Sequence, residues 1–117
     1  MRPVDDSNVG SPDLATKPVE IRSHRKDDSV TIIVAGEIDL STAGKLDAAI
    51  RHAEDTVIGQ IVVDMTDLSF VDSTGLSVLL RASVRSRENG NRLSFVPSKH
   101  EAVTRLVALT GTGEMFD

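Results

Sequence analysis

The chain is 117 residues long, which is enough for one small domain with a single hydrophobic core. Its formal net charge is −5 and it has no block of basic residues, so the electrostatic footprint of a nucleic-acid-binding protein is missing. There is no cysteine, which excludes disulfides and thiolate chemistry. No apolar run is long enough to span a membrane or to act as a secretion leader, so the sequence predicts a cytoplasmic protein with no membrane segment.

Residues 1–18 are predicted to form a flexible tail and residues 19–117 a folded domain. Three prolines and several Asp, Asn, Ser and Gly residues break any hydrophobic periodicity in the tail. From Val19 the pattern changes, because Val19–Ser23 alternates apolar and polar residues and Val30–Ala35 is a β-branched apolar run. With a turn at Lys26–Ser29 between them, these runs predict a β-hairpin whose second strand is central and covered on both faces.

A first helix and a second apolar strand are predicted to follow the hairpin. Gly36–Leu40 leads away from the sheet, and Ser41 is the predicted cap of the helix. The helix carries its apolar residues on one stripe, formed by Ala43, Leu46, Ala49, Ile50 and Ala53. Gln60–Met65 contains the apolar run Ile61–Val63 and is predicted to be the second strand. A strand–helix–strand unit of this length predicts parallel neighbours in the sheet.

The most informative stretch begins at Leu68–Val71, a strand or loop, and continues into an amphipathic helix. The helical period of three and four is carried by Leu76, Leu79, Leu80 and Val84. Asp72 is the best N-cap, because its carboxylate can accept from the free amide of Thr74 or Gly75. Ser73 is then the first helical residue, with its hydroxyl free. On residues alone, this pattern fits a regulatory serine and an ordinary helix cap equally well.

The remaining elements complete an alternating pattern. Asn89-Gly90 ends the second helix, and three arginines near that end are predicted to be solvated charges: Arg81, Arg85 and Arg87. Arg92–Val96 is another strand, and Ser98 with Glu101 forms a capping-box pattern that opens a last helix. Glu114–Phe116 is expected to add a short final strand. The predicted fold class is therefore α/β, a small mixed β-sheet with packed helices.

The residues needed for catalysis are scarce. His24, His52 and His100 lie in an edge strand or on exposed helix faces, without the spacing of metal ligands. No phosphate-binding or dinucleotide-binding glycine loop occurs. Val71 and Gly75 flank Ser73 where a nucleophile elbow requires two glycines. We therefore predict no enzymatic activity, no cofactor and no metal.

The chain resembles the STAS domain, and more narrowly the bacterial anti-sigma factor antagonists. The resemblance lies in Gly36–Asp39 after a strand, in the alanine-bearing helix that follows, and in the stretch Leu68–Leu76. The resemblance runs from about Val19 to Phe116, and its most specific part is the Asp-Ser-Thr-Gly-Leu motif. It implies that the chain binds an anti-sigma factor with serine kinase activity and so frees a sigma factor. It also implies that phosphorylation of Ser73, with Thr74 as second choice, switches binding off and that a phosphatase reverses this.

The resemblance also implies where the partner binds: Asp39, Asp72, Ser73, Thr74, Gly75 and Leu76. Three other interpretations remain open at this point. The same fold serves as an accessory subunit that docks on a transporter ATPase and needs no phosphorylation. Ser73 could be the nucleophile of an enzyme, or Asp72 and Ser73 could do no more than cap a helix.

Overall fold

The structure is a computed structural model that describes residues 19–109. The predicted tail, residues 1–18, and the final strand expected at Glu114–Phe116 lie outside the described residues. A hairpin is followed by alternating helices and strands, in the order β1 (Glu20–Lys26), β2 (Ser29–Ile38), α1 (Ala43–Thr56), β3 (Ile61–Asp64), β4 (Leu68–Val71), α2 (Ser73–Glu88), β5 (Leu93–Val96) and α3 (Glu101–Leu109).

The five strands form one mixed sheet, which confirms the predicted fold class. The strand order is β1-β2-β3-β5, and β4 pairs with β2 outside this path. β1 runs antiparallel to β2, whereas β2–β3, β2–β4 and β3–β5 are parallel pairs. The hairpin and the parallel neighbours joined by α1 are therefore as predicted. The placement of β4 beside β2 was open at the level of sequence.

β2 is central, but only one of its faces is fully buried. Val30, Ile32 and Val34 are buried, whereas the residues between them are half-buried. The register pairs Val30 with Ile61 and Ile32 with Val63, so the fully buried residues of β2 and β3 share a face. This face builds one core with the apolar stripe of α1. The prediction that both faces of β2 are covered is confirmed in part, because one face is fully buried and the other is half-buried.

A β-bulge divides β2 into two pairing segments. The register with β4 shifts between Gly36 and Glu37, and Gly36 has φ 96°, in the left-handed region that glycine adopts without strain. Beyond the bulge, Glu37 pairs with Phe70 and Ile38 pairs with Val71. β2 and β4 therefore end side by side, and the residues that follow them leave the sheet at one corner.

Two predicted helix caps are wrong. α1 begins at Ala43 with Thr42 at the cap position, and Ser41 donates to Asp39 instead. α3 begins at Glu101, three residues after the expected cap Ser98. The Ser98 hydroxyl accepts from the amide of His100 at 2.9 Å and donates to the carbonyl of Leu68 at 2.7 Å. Ser98 is buried, so its hydroxyl satisfies the carbonyl of a core strand and is not available to α3.

The far end of α2 packs more closely than the sequence suggests. Arg85, predicted to be solvated, is largely buried, and its Nε donates to both carboxylate oxygens of Glu54 at 3.1 Å. Val84, predicted to be buried, is 40% exposed, and the small residues Ala82, Ser83 and Ser86 face the interior instead. Small side chains let neighbouring elements pack closely, so the face of α2 that carries these small residues is the buried one. The ion pair between Arg85 and Glu54 connects α2 to α1.

Candidate functional site

The candidate site lies where β2 and β4 end. The amide of Asp72 donates to the carbonyl of Ile38 at 3.1 Å, which extends the β2–β4 pairing to the last residue before α2. Asp39 follows Ile38 directly in the chain. The two acidic residues therefore leave neighbouring parallel strands at the same edge, and ligand sites of open α/β sheets lie at the carboxyl ends of strands.

Asp72 caps α2 as predicted. Its backbone is extended, and its Oδ1 accepts from the amide of Gly75 at 3.0 Å. Val71 before the cap and Leu76 after it are both buried, which is the arrangement of a hydrophobic staple. The cap and the staple fix the direction in which the first turn of α2 enters the protein.

Ser73 is the first residue of α2, and its side chain is exposed. Its hydroxyl has no hydrogen-bond partner among residues 19–109. The first amides of a helix have no partner within the helix, and together with the helix dipole they favour an anion at this end. Thr74 is half-buried, so Ser73 is the more accessible hydroxyl of the two.

Gly75 allows α2 to approach the sheet. A Cβ at this position would lie 2.6 Å from Cγ2 of Val71 and even closer to Cγ2 of Ile38. Real Cβ atoms do not approach other carbon atoms this closely. The absence of a side chain therefore brings the start of α2, and Ser73 with it, against the ends of β2 and β4.

Asp39 is held by the turn that precedes α1. Its Oδ1 accepts from the Ser41 hydroxyl at 2.8 Å, the Ser41 amide at 3.0 Å and the Thr42 hydroxyl at 3.1 Å. Its carbonyl accepts from the amides of Thr42 and Ala43. The hydrogen bond from the Ser41 side chain, followed by that from Thr42, lowers the pKa of the Asp39 carboxyl below the usual value for an aspartate. Asp39 is therefore ionised at neutral pH and presents a fixed negative charge.

Ser41→Ala is expected to raise the pKa of Asp39 toward its usual value, because it removes the largest stabilisation of the carboxylate. Since folding lowers this pKa, the carboxylate stabilises the folded state above the unfolded pKa, and this contribution is lost as the pH falls through the folded pKa. In the variant the folded pKa lies closer to the unfolded one, so this contribution is smaller and its loss is complete at a higher pH. An NMR titration of the Asp39 carboxyl carbon measures this, with exposed Ser94→Ala as control, and an unchanged pKa would contradict the assigned hydrogen bonds.

The six residues predicted to form the partner surface gather at this one corner, but in two layers. Asp39, Asp72 and Thr74 are half-buried and Ser73 is exposed, whereas Gly75 and Leu76 are buried. The buried pair holds the helix in place, and the other four residues can reach a partner. The positioning of Asp39 by Ser41 and Thr42 was missed at the level of sequence, although an aspartate followed by Ser and Thr is a signal for such a turn.

Two negative findings apply to residues 19–109. No group of three or more His, Asp or Glu side chains there is placed to hold a metal ion. No helix within that range combines the length and the apolar character required to cross a bilayer.

Comparisons with known proteins show the family to which this chain belongs. A family model described as "Mlab, STAS domain" matches residues 21–117, and the chain belongs to the STAS domain family. The resemblance drawn from the Asp-Ser-Thr-Gly-Leu motif is thereby confirmed. The anti-sigma-B factor antagonist of Listeria monocytogenes is 31% identical over 101 residues, which cover 85% of this chain and 85% of the relative.

Solved structures show the same fold. An anti-sigma factor antagonist from Mycobacterium paratuberculosis matches with a TM-score of 0.70 and 27% identity, covering 92% of this chain and 87% of that one. The phosphorylated form of the Bacillus cell fate determinant SpoIIAA matches with a TM-score of 0.60 and 20% identity, covering 84% of this chain and 89% of that one. Curated relatives and structural neighbours of the chain are thus anti-sigma factor antagonists.

Proposed function

We propose that this chain is a cytoplasmic anti-sigma factor antagonist that is controlled by phosphorylation of Ser73. It binds an anti-sigma factor that is also a serine kinase, and this binding frees the sigma factor. The observation that carries the proposal is the exposed Ser73 hydroxyl, which stands at the N-terminus of α2 beside the Asp72 carboxylate. The relatives named as anti-sigma factor antagonists support the choice of partner.

The switch is electrostatic. A phosphate adds about −1.5 to −2 charge at neutral pH. At Ser73 this charge joins Asp72 and the ionised Asp39 in one small region of the surface. A partner that packs against this corner must then remove water from an unpaired dianion, which is costly. A cost of about 3 kcal/mol weakens binding by more than about a hundredfold.

The fold is expected to accept the modification without unfolding. The hydroxyl makes no hydrogen bond to residues 19–109 that phosphorylation would break. The amides of the first turn and the positive end of the helix dipole stabilise an anion at this position. SpoIIAA, which has this fold, takes a phosphorylated form. The change on phosphorylation is therefore a change of surface charge and not of architecture.

The chain acts as a substrate of the kinase and is not itself a catalyst. A serine nucleophile needs a base within hydrogen-bond reach, and none of the described side chains forms a hydrogen bond with the Ser73 hydroxyl. The kinase, and not this chain, binds the ATP. A phosphatase that removes the phosphate returns the chain to its binding form.

Phosphorylation at Ser73 is tested by incubating the chain with each purified anti-sigma factor of its organism and ATP, then locating the phosphate by mass spectrometry. We expect one phosphate on Ser73, none on Ser73→Ala, and full incorporation into the matched variant Thr74→Ala. Ser73→Ala should still bind the anti-sigma factor. Wild-type incorporation into Ser73→Ala would move the site to Thr74 or elsewhere.

A chain that takes no phosphate from any anti-sigma factor, and instead copurifies with a transporter ATPase, would be an accessory subunit of that transporter. That outcome would contradict the proposal as a whole.

A further inference from the structure

The face of the sheet opposite α1 has no buried residue. Val30, Ile32 and Val34 point toward α1, so the residues between them in β2 point to the other face. Residues that pair across neighbouring strands share a face. The open face is therefore formed by Glu20, Arg22, His24 and Lys26 of β1, Thr31, Ile33 and Ala35 of β2, Val62 and Asp64 of β3, and Ser94 and Val96 of β5, all of them half-buried or exposed.

The open face leaves apolar side chains of a parallel sheet in contact with water. β2, β3 and β5 are parallel to one another, and parallel strands usually have both faces of their sheet covered. Ile33 and Val62 lie on its two central strands and are half-buried, and Val96 at its edge is 38% exposed. An apolar area of this kind on a sheet is suited to cover by another protein surface.

Three residues of the open face form a row across three strands. Arg22 pairs with Ile33, and Ile33 pairs with Asp64, so a cation and an anion stand on either side of an apolar residue. Neighbouring strands lie about 4.8 Å apart, which puts Arg22 and Asp64 about 10 Å from each other. No ion pair joins them within residues 19–109. Asp64 Oδ1 accepts from the amide and the hydroxyl of Thr66, which leaves Oδ2 for a partner.

This row is complementary to itself under a twofold rotation about an axis along β2. The rotation places Ile33 against Ile33 of a second copy, and it places Arg22 of each copy opposite Asp64 of the other. Two sheets that pack face to face lie about 10 Å apart and turn by about 30°, and residues one strand from the axis shift little under that turn. The commonest protein dimers are twofold and use the same patch on both copies.

We infer that the open face docks a second copy of this chain, in a twofold dimer that is centred on Ile33 and joined by two Arg22–Asp64 ion pairs. The contact covers the width of β1, β2 and β3, so the interface is small and the association is weak. α1 and α2 pack on the other face of the sheet, so Ser73 stays exposed in both copies. The inference goes beyond the proposed function and does not depend on it.

The dimer is tested by sedimentation equilibrium of the full chain over a series of concentrations. The wild type should pass from monomer to dimer as the concentration rises. Arg22→Asp should raise the dissociation constant at least about tenfold, because two ion pairs become two contacts between carboxylates. Arg87→Asp is the matched control, since it makes the same change of charge on the exposed surface of α2, and it should associate like the wild type.

A double-mutant cycle tests the assigned pair. Asp64→Asn removes the charge but keeps an Oδ1 acceptor for Thr66, and Arg22→Ala removes the other partner. Each variant should weaken association, and the double variant should lose no more than the larger of the two single losses. Melting temperatures like that of the wild type show that the variants are folded, which is expected for Arg22 because its side chain is exposed.

Three results would overturn the inference. One is a wild-type chain that remains monomeric up to about 1 mM, a concentration at which weak interfaces still associate. Another is equal association of Arg22→Asp and Arg87→Asp, which would move the contact to a different surface. The third is a cycle in which the losses of Arg22→Ala and Asp64→Asn simply add. Ser73→Asp should dimerise like the wild type, so failure of the dimer would leave the proposed function intact.

Discussion

Ser73→Asp is expected to bind the anti-sigma factor about tenfold to a hundredfold more weakly than the wild-type chain. The substitution places a third carboxylate beside Asp72 and Asp39, and a partner that packs here must remove water from this added unpaired charge, which is costly. The aspartate carries one charge where a phosphate carries up to two, so its effect should be smaller than that of phosphorylation. Isothermal titration calorimetry measures the difference directly.

The matched control for this substitution is Ser94→Asp. Ser94 is exposed on β5, away from the ends of β2 and β4, so this variant changes the net charge by the same amount at another place. It should bind like the wild type. Equal affinities for Ser73→Asp and the wild type would contradict the electrostatic mechanism, and equal losses in both variants would show that only the total charge matters.

Gly75→Val is expected to destabilise the domain and to weaken docking together. The added Cβ would overlap Cγ2 of both Ile38 and Val71, and the branched side chain fills space that the core already occupies. Overpacking a well-packed core costs about 1–3 kcal/mol, occasionally more. In a domain of 60–100 residues, each kcal/mol lowers the melting temperature by about 4–8 °C.

Gly44→Ala provides the opposite control for a helical glycine. A Cβ at Gly44 meets no atom within 4 Å, so alanine fits there without strain. Replacing a glycine in a helix by alanine stabilises it by up to about 1 kcal/mol, so this variant should melt at or above the wild-type temperature.

A wild-type melting temperature and affinity for Gly75→Val would refute the assigned close approach of α2 to the sheet.

Features that depend on a few neighbouring residues could be predicted from the sequence. The capping of α2 by Asp72 needs only a carboxylate three residues before a free amide, and it is found as expected. The hairpin and the parallel strands around α1 follow from the apolar patterns of their own segments. In these places local preference and tertiary packing favour the same structure.

Two of the predictions that failed depend on distant partners. Ser98 matches a capping box, but the carbonyl of Leu68, 30 residues away in the chain, takes its hydroxyl. Arg85 matches a solvated helix end, but Glu54 on another helix binds it. A pattern of neighbouring residues in the sequence gives no information about a hydrogen-bond partner that only the folded structure brings close. The family resemblance, and not the spacing of residues, gave the location of the site.

The exposure of Phe70 illustrates the same limit. Leu68–Val71 is uniformly apolar except for Ser69, and nothing in it indicates that Phe70 faces solvent while Leu68 and Val71 are buried. The bulge at Gly36 and the pairing with β2 decide which residues of β4 turn outward. The burial of individual residues in β4 therefore could not be predicted from their own segment.

The central claim is that one exposed hydroxyl at the start of α2 acts as a reversible electrostatic block on docking. It is tested most directly by measuring the affinity of one preparation for the anti-sigma factor before phosphorylation, after phosphorylation and after treatment with a phosphatase. The account predicts that affinity falls by more than about a hundredfold and then returns, as a cost of about 3 kcal/mol requires. An affinity that stays the same in all three states would contradict it.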